Sequence, residues 1–513
     1  MKARSNTIRV HVACTSVLAG FALFLFLTSP TNGDFWWFDS SRHAMNGVFV
    51  RDLLFEGGLW HPIDFATDYY RQYPAINIGF YPPLFYISSV PFLAVFGASH
   101  PVSQVVVTLY ALAIGVLTYL ICSRQMDRLT SLATALCVMA LPAMALWARQ
   151  VQLDVPAVSL LLATAYSLIR HLEGGDISWL FGTAVCLGLS VLTRVQGVYA
   201  LPAILYFLLF YRYNLRPAIG LRISALVTAA LIALPSILMA MYFSQINQSL
   251  AVQMDGMPKL MSYKNWSWYA DKLPQQLGWP AFTLTVGGLT TIAVSFKKHG
   301  MAQPLKVLTA FLLCSWIFFS IVSNKDPRFN LPSLPFLFIL SVSWLYLLTP
   351  RLARVAVLTL AVWLVVQATA FSTVPFVGGF KEAVLAAQTI TPRNRNVLIS
   401  AHRDGTFIYN MRTLGERRDI GVRRADKLFV EIKIMRSLGI KDHNLDQRQI
   451  LDLLGKQNIS TIVAQTDYLS DQTSMQNFQK MLDSGLYFRK VQTIEMQGKT
   501  GPDQHELVIY KIR

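Results

Sequence analysis

The sequence predicts a mostly α-helical, polytopic membrane protein with about eleven spanning helices plus interfacial helices, followed by a soluble C-terminal α/β domain. Three observations carry that prediction. Of 513 residues, 53% are hydrophobic and 14% charged, with mean hydropathy +0.41; soluble domains run nearer ~25% charged. The charge is also unevenly spread, because positions 373–513 hold 21 basic and 15 acidic residues in about a quarter of the length. Finally, the first 372 residues break into apolar runs approaching the ~20 residues that a bilayer crossing needs.

The expected spans are 8–28, 102–122, 130–148, 155–170, 177–194, 196–212, 220–243, 279–296, 305–322, 329–348 and 352–372. Lys2, Arg4 and Arg9 precede the first run, as they would in a signal peptide. Its length from Val10 to Leu27 and the lack of a small-x-small site favour a retained anchor. The stretch 82–98 is apolar but short, and carries Pro82, Pro83 and Pro91. If it lies flat at the outer interface, the inner side collects Arg124/Arg128, Arg170, Arg212/Arg216/Arg222, Lys297/Lys298/Lys306 and Arg351/Arg354. If it spans, that bias inverts, so the positive-inside rule selects an interfacial helix. The outer side then holds loop 30–81, the turns 149–154, 194–196 and 323–328, and loop 244–278. This arrangement puts the N-terminus in the cytoplasm and the C-terminal domain outside. The expected division is a membrane part over 1–372, including outer loop 30–101, and a soluble domain over 373–513.

That domain alternates strand-like runs (Asn396–Ala401, Ser460–Gln465, Glu506–Arg513) with helical ones (Asp446–Lys456, Ser474–Ser484). The net charge of +17 resides in short loops and the tail rather than in one basic helix, so nucleic acid is not an expected partner. The five cysteines show neither zinc spacing nor a disulfide framework.

Ionisable groups at the helix ends of an apolar chain are functional candidates. Asp39 follows the first span in Asp34-Phe-Trp-Trp-Phe-Asp39-Ser-Ser-Arg42-His43. The aromatic residues place it at headgroup depth, where a carboxylate can take a proton from a hydroxyl; a solvated acid or a partner of Arg42 is the plainer reading. Asp154 starts a helix, as a catalytic acid or as a complement to the helix dipole. Arg194 lies in a tight turn between two spans, suited to holding a phosphate or to snorkelling. Lys325 and Arg328 are basic on the outer side, against the orientation rule, which an anionic headgroup or a Lys325–Asp326 pair would explain. Loop 30–81 adds His43, Asp64, Asp68, Tyr69, Tyr70 and Arg71 without diagnostic metal spacing. Two acids and three cations on one membrane face suit transfer from a phosphate leaving group, whose developing charge fixed cations stabilise.

With Asp39 after the first span, Tyr81-Pro-Pro-Leu84, Asp154-Val-Pro156, Leu192-Thr-Arg194 and Arg328-Phe-Asn-Leu-Pro332-Ser-Leu-Pro335 in this order, the chain resembles the GT-C superfamily of polyprenyl-phosphate-sugar glycosyltransferases. The resemblance covers residues 1 to about 370 and is closest to the protein O-mannosyltransferase and aminoarabinose lipid A transferase branch. It implies an inverting displacement with Asp39 as general base, and a polyprenyl-phosphate-linked sugar donor entering from membrane lipid. The acceptor would be a lipid, glycan or protein, and the site a bacterial inner membrane with the tail in the periplasm. Asp154 is the second catalytic candidate, while Arg194, Lys325, Arg328 and Tyr81 are donor-phosphate candidates; a divalent metal stays open. Ser40 stands where many relatives have an acid, and Arg194 where many have Lys, which keeps the charge. A flippase or transporter is the competing class, but such proteins place charges near the midplane and show repeats, and neither pattern is visible.

Overall fold

The structure is a computed structural model and describes residues 2–210, 218–243, 257–415, 417–432, 436, 439–498 and 506–513. Arg212, Arg216 and positions 244–256 of the expected outer loop lie outside the described residues, as do the side chains of Lys2 and Arg4.

Within the described residues each of the eleven expected spans is mostly helical, but their number is not established as eleven crossings. Among the described residues, six helices are long and apolar enough to cross a membrane: Arg9–Leu27, His100–Cys122, Asp154–Gly174, Ile219–Tyr242, Gln303–Ile321 and Pro350–Phe371. A seventh arises if Trp279–Thr290 and Ile292–His299, bent by 45° at their junction, count as one span. Arg128–Ala140, Ile177–Thr193, Val195–Leu209 and Ser333–Leu348 are apolar but shorter. One shortening has a local cause. Leu141 precedes Pro142, and the proline ring drives it to φ −51°, ψ 133°. The 130–148 run is thereby cut into Arg128–Ala140 and Pro142–Trp147. The stretch expected at the interface forms Leu84–Phe96, whose 13 residues rise only about 20 Å, against a hydrocarbon core of ~30 Å.

Contacts group the chain into two compact units. The first comprises Met1–Ser29, Gly79–Phe85 and Val105–Thr373. Its helices start where polar caps or prolines allow. Asp127 accepts from the Leu129 and Thr130 amides, and Asp176 accepts from Ser178. Small residues let helices approach closely: a Cβ on Gly288 would lie 2.3 Å from the Ser341 carbonyl oxygen of the neighbouring helix.

The second unit comprises Pro30–Ile78, Tyr86–Gln104 and Val374–Arg513. Its core is a five-stranded sheet in the order Val422–Arg424, Asn396–Ser400, Ile459–Ala464, Leu507–Ile512, Phe488–Ile494. The first three strands are parallel and the last two add antiparallel. One face buries Leu398, Ile462, Ala464 and Val508 with Ile450, Leu454, Met475 and Phe478 from helices Gln447–Lys456 and Thr473–Ser484. Helices Phe380–Ile390 and Asp404–Thr413 also pack on the sheet. The three expected strands and two expected helices match to within a residue or two. Asp446 caps its helix reciprocally with Gln449.

Candidate functional site

In the first unit, Asp154 and Arg194 are neighbours because two helices fold back on each other. Asp154 opens helix Asp154–Gly174, Gly175 (φ 69°) allows the reversal, and Arg194 closes the returning helix Ile177–Thr193. The two side chains form an ion pair, with Asp154 2% exposed and Arg194 15%. The dipole-complement and phosphate readings therefore meet in one pair, since the acid also sits at a helix N-terminus.

Arg328 joins them through an aromatic ring. The Arg194 guanidinium lies 5.3 Å from the centre of the Phe329 ring and that of Arg328 5.7 Å from the same centre. Arg328 also lies 5.8 Å from the Trp147 ring, donates to Gln152 Oε1 at 3.5 Å, and approaches Asp326 at 3.5 Å. Planar guanidiniums stack on rings while keeping in-plane N–H donors for carboxylates or phosphates.

Lys325 departs from one sequence expectation, the pair with Asp326. It does not pair with Asp326, whose carboxylate instead caps the Arg328 amide at 2.9 Å. The ammonium donates to the carbonyls of Phe319 (2.9 Å) and Ser320 (2.7 Å), the last turn of helix Gln303–Ile321, and lies 5.4 Å over Tyr269. A cation there complements the negative end of the helix. At 5% exposure, burial pulls its pKa down to about 8. Tyr81 belongs to the same unit, half-buried, with Phe80 edge-on at 4.9 Å.

Sequence reasoning missed several partners. Arg149, 1% exposed, donates to the Ala368 carbonyl at 2.6 Å. Gln276 accepts from Asn330 at 3.3 Å, beneath the 327–330 turn. Their only sequence signal was polarity within apolar flanks.

Asp39 belongs to the second unit. It lies in the first turn of helix Phe38–Phe55, half-buried. Contacts from the C-terminal residues hold this helix start. Arg403 donates to the Trp36 carbonyl at 2.8 Å and stacks 4.8 Å from Phe38. Arg42 pairs with Asp404 (3.3 Å), and Asp404 pairs with Arg424 (2.6 Å). Farther along the helix, Asp52 is fully buried and bound by Arg51, Arg412 and the Tyr69 hydroxyl. Asp34 accepts from the Phe380 amide (2.9 Å) and Asn410 (2.6 Å), and burial raises its carboxyl to about 7.

His43 bonds Tyr86 at 2.9 Å, and Asp68 pairs with Arg71 at 3.0 Å on the surface. Among the described residues, no three His, Cys, Asp or Glu side chains cluster so as to hold a metal ion.

The family model for dolichyl-phosphate-mannose-protein mannosyltransferases matches residues 81–243. No curated protein sequence matches the chain. Among solved structures, it is similar to ArnT from Cupriavidus metallidurans bound to undecaprenyl phosphate: 13% identity, TM-score 0.62, covering 99% of this chain and 98% of that one. It is also similar to the oligosaccharyltransferase AglB from Archaeoglobus fulgidus in complex with an inhibitory peptide and a dolichol-phosphate: 10% identity, TM-score 0.55, covering 96% of this chain and 74% of that one. Identity this low shows the fold alone: the chain has the fold of ArnT.

Proposed function

We propose that the protein is a membrane glycosyltransferase that moves a sugar from a polyprenyl-phosphate donor to a cell-envelope lipid, glycan or protein by inverting displacement. The observation that supports it best is the pair of arginines sharing one aromatic ring at the helix ends of an apolar unit. Matches to the mannosyltransferase family model and the ArnT fold point the same way.

In this reading Asp39 takes the proton from the acceptor hydroxyl. The oxygen attacks the anomeric carbon, the bond from that carbon to the phosphate oxygen breaks, and the polyprenyl phosphate leaves with the electron pair. Arg194 and Arg328, together with Lys325 and Tyr81, serve the phosphate side, and Asp154 orients Arg194. A cation about 4 Å from the leaving phosphate contributes on the order of 4 kcal/mol at an effective dielectric near ~20. That is a substantial part of the ~8–23 kcal/mol barrier reduction typical of enzymes. The reaction is assigned to the outer face of a bacterial inner membrane, with the tail outside.

Asp39→Asn is the direct test. Transfer should fall by at least ~100-fold, with polyprenyl-phosphate binding unchanged. Wild-type transfer by this variant would remove Asp39 from the chemistry.

A further inference from the structure

Beyond the transfer reaction, the C-terminal sheet has a feature that no function above uses. From Asn396–Ser400 the chain crosses through helix Asp404–Thr413 to the parallel strand Val422–Arg424 on one side. It then returns through helix Gln447–Lys456 to Ile459–Ala464 on the other side. The neighbours Asn396–Ser400 and Ile459–Ala464 therefore receive connections running in opposite directions. Just beyond the carboxyl ends of such a strand pair, open α/β sheets leave a crevice that ligands occupy. A cleft of about 190 Å³ lies there, lined by Ser400 at the end of one strand, Gln465 and Thr466 just past the other, and Gln476, Gln479 and Lys480 from helix Thr473–Ser484.

The lining selects its occupant. Seven of its ten lining residues carry a hydroxyl or side-chain amide, set in a surface that is mostly apolar, and Lys480 is its one ionisable side chain other than Tyr468 among the described residues. Gln476 and Gln479 use their amide nitrogens on the Ser470 carbonyl (2.9 Å) and Asp483 (2.8 Å), which orients their carbonyl oxygens as acceptors. Met475 and Phe478 supply an apolar wall. Neutral donors and acceptors beside an apolar wall match a ring with hydroxyls at its edge and C–H bonds on its face. The volume, below the ~300 Å³ common for ligand sites, limits the occupant to about one ring. A dinucleotide is disfavoured twice over: the turn Ala401-His402-Arg403 lacks glycines, and Asp404 puts a carboxylate in the first turn of the helix that would receive a phosphate.

We propose that this cleft is a non-catalytic binding site for a single sugar unit, with Lys480 favouring a sugar that carries a carboxylate. The site would let the soluble unit retain a saccharide independently of the transfer chemistry.

The test uses the full chain in nanodiscs and ligand-observed saturation-transfer NMR with three probes: methyl α-glucopyranoside, methyl α-mannopyranoside and glucuronate. At least one should receive saturation from the wild type and equally from Asp39→Asn, which separates this site from the transfer reading. Thr466→Trp, at an exposed position, should block the cleft and weaken binding at least tenfold with unchanged thermal unfolding. Lys480→Gln should lower glucuronate affinity relative to the glucoside by about tenfold. No transfer to any probe by the wild type, or undiminished transfer in Thr466→Trp, would overturn the proposal.

Discussion

Replacing Arg194 with Met separates its pairing with Asp154 from the phosphate contact proposed for it. The substitution leaves Asp154, 2% exposed, as a buried carboxylate without its cation. Removing one member of a buried pair costs about 3–5 kcal/mol, and losing the guanidinium over Phe329 adds about 0.5–1 kcal/mol. Asp154→Asn in the same chain removes the stranded charge, so the double variant should recover to within about 1 kcal/mol of wild type in reversible SDS unfolding. Donor affinity should not recover. A hydrogen bond to a charged group contributes about 1.5–3 kcal/mol, so polyprenyl phosphate should bind both variants roughly 10- to 150-fold more weakly. The assay is a titration of polyprenyl phosphate into nanodisc-embedded protein, run beside the unfolding curves. A double variant that binds the lipid phosphate with wild-type affinity would refute the reasoning, reducing Arg194 to the counter-ion of Asp154.

Three further outcomes follow from the geometry. Burial lowers the Lys325 ammonium to about 8, so a phosphate contact from it should fade as pH rises through 8, whereas Lys325→Arg should hold donor affinity flat to about pH 10; pH-independent wild-type binding over that range counts against the contact. Asp34 is raised from 3.8 to about 7 by burial, so the folded state binds the extra proton between these values. Stability of the second unit is then greatest below pH 4 as far as this group is concerned and declines up to about 7, and Asp34→Asn should flatten that slope in hydrogen exchange of residues 374–413. In the first unit, Gly288→Ala would set a Cβ against the Ser341 backbone while Gly287→Ala would meet nothing within 4 Å. The former should cost about 1–3 kcal/mol and the latter much less; equal unfolding midpoints would contradict the packing.

Much of this arrangement was legible in the sequence where a local rule decides it. The tail strands and helices carry their own periodicity, and Asp446 with Gln449 announces a helix start. Other elements had no such signal. Helix Asp404–Thr413 is buried from Asp404 through Arg412, so it lacks the alternating faces by which amphipathic helices are read. Strand Val422–Arg424 is three residues long with two arginines, and only its parallel neighbour makes it a strand. The break at Pro142 could have been foreseen from the proline alone. The Asp154–Arg194 pair was within reach as well, since a helix of 21 residues and a return of 17 across a short turn bring its ends together. The meeting of Arg194 and Arg328 on Phe329 was not legible, because it depends on how a separate turn packs. The same holds for Lys325, whose partners are the carbonyls of a helix end rather than the acid beside it in sequence.

The contacts around helix Phe38–Phe55 explain why the C-terminal residues matter to a carboxylate at position 39. Apolar burial is non-directional and would let a helix rotate or slide by small steps. Here the fixing contacts are directional: Arg403 on the Trp36 carbonyl, Asp404 on Arg42 and Arg412 on Asp52. They grip the helix before, just after and well beyond Asp39, so its axial position and rotation are both set. Reactive groups need placement to within about 0.5 Å, and loop anchorage of residues 30–37 alone would not supply it. Buried charge pairs are weak as sources of net stability but costly to break singly. Such a grip therefore adds little to folding while penalising any displaced position of the helix, which is the support that the base proposed at position 39 would need.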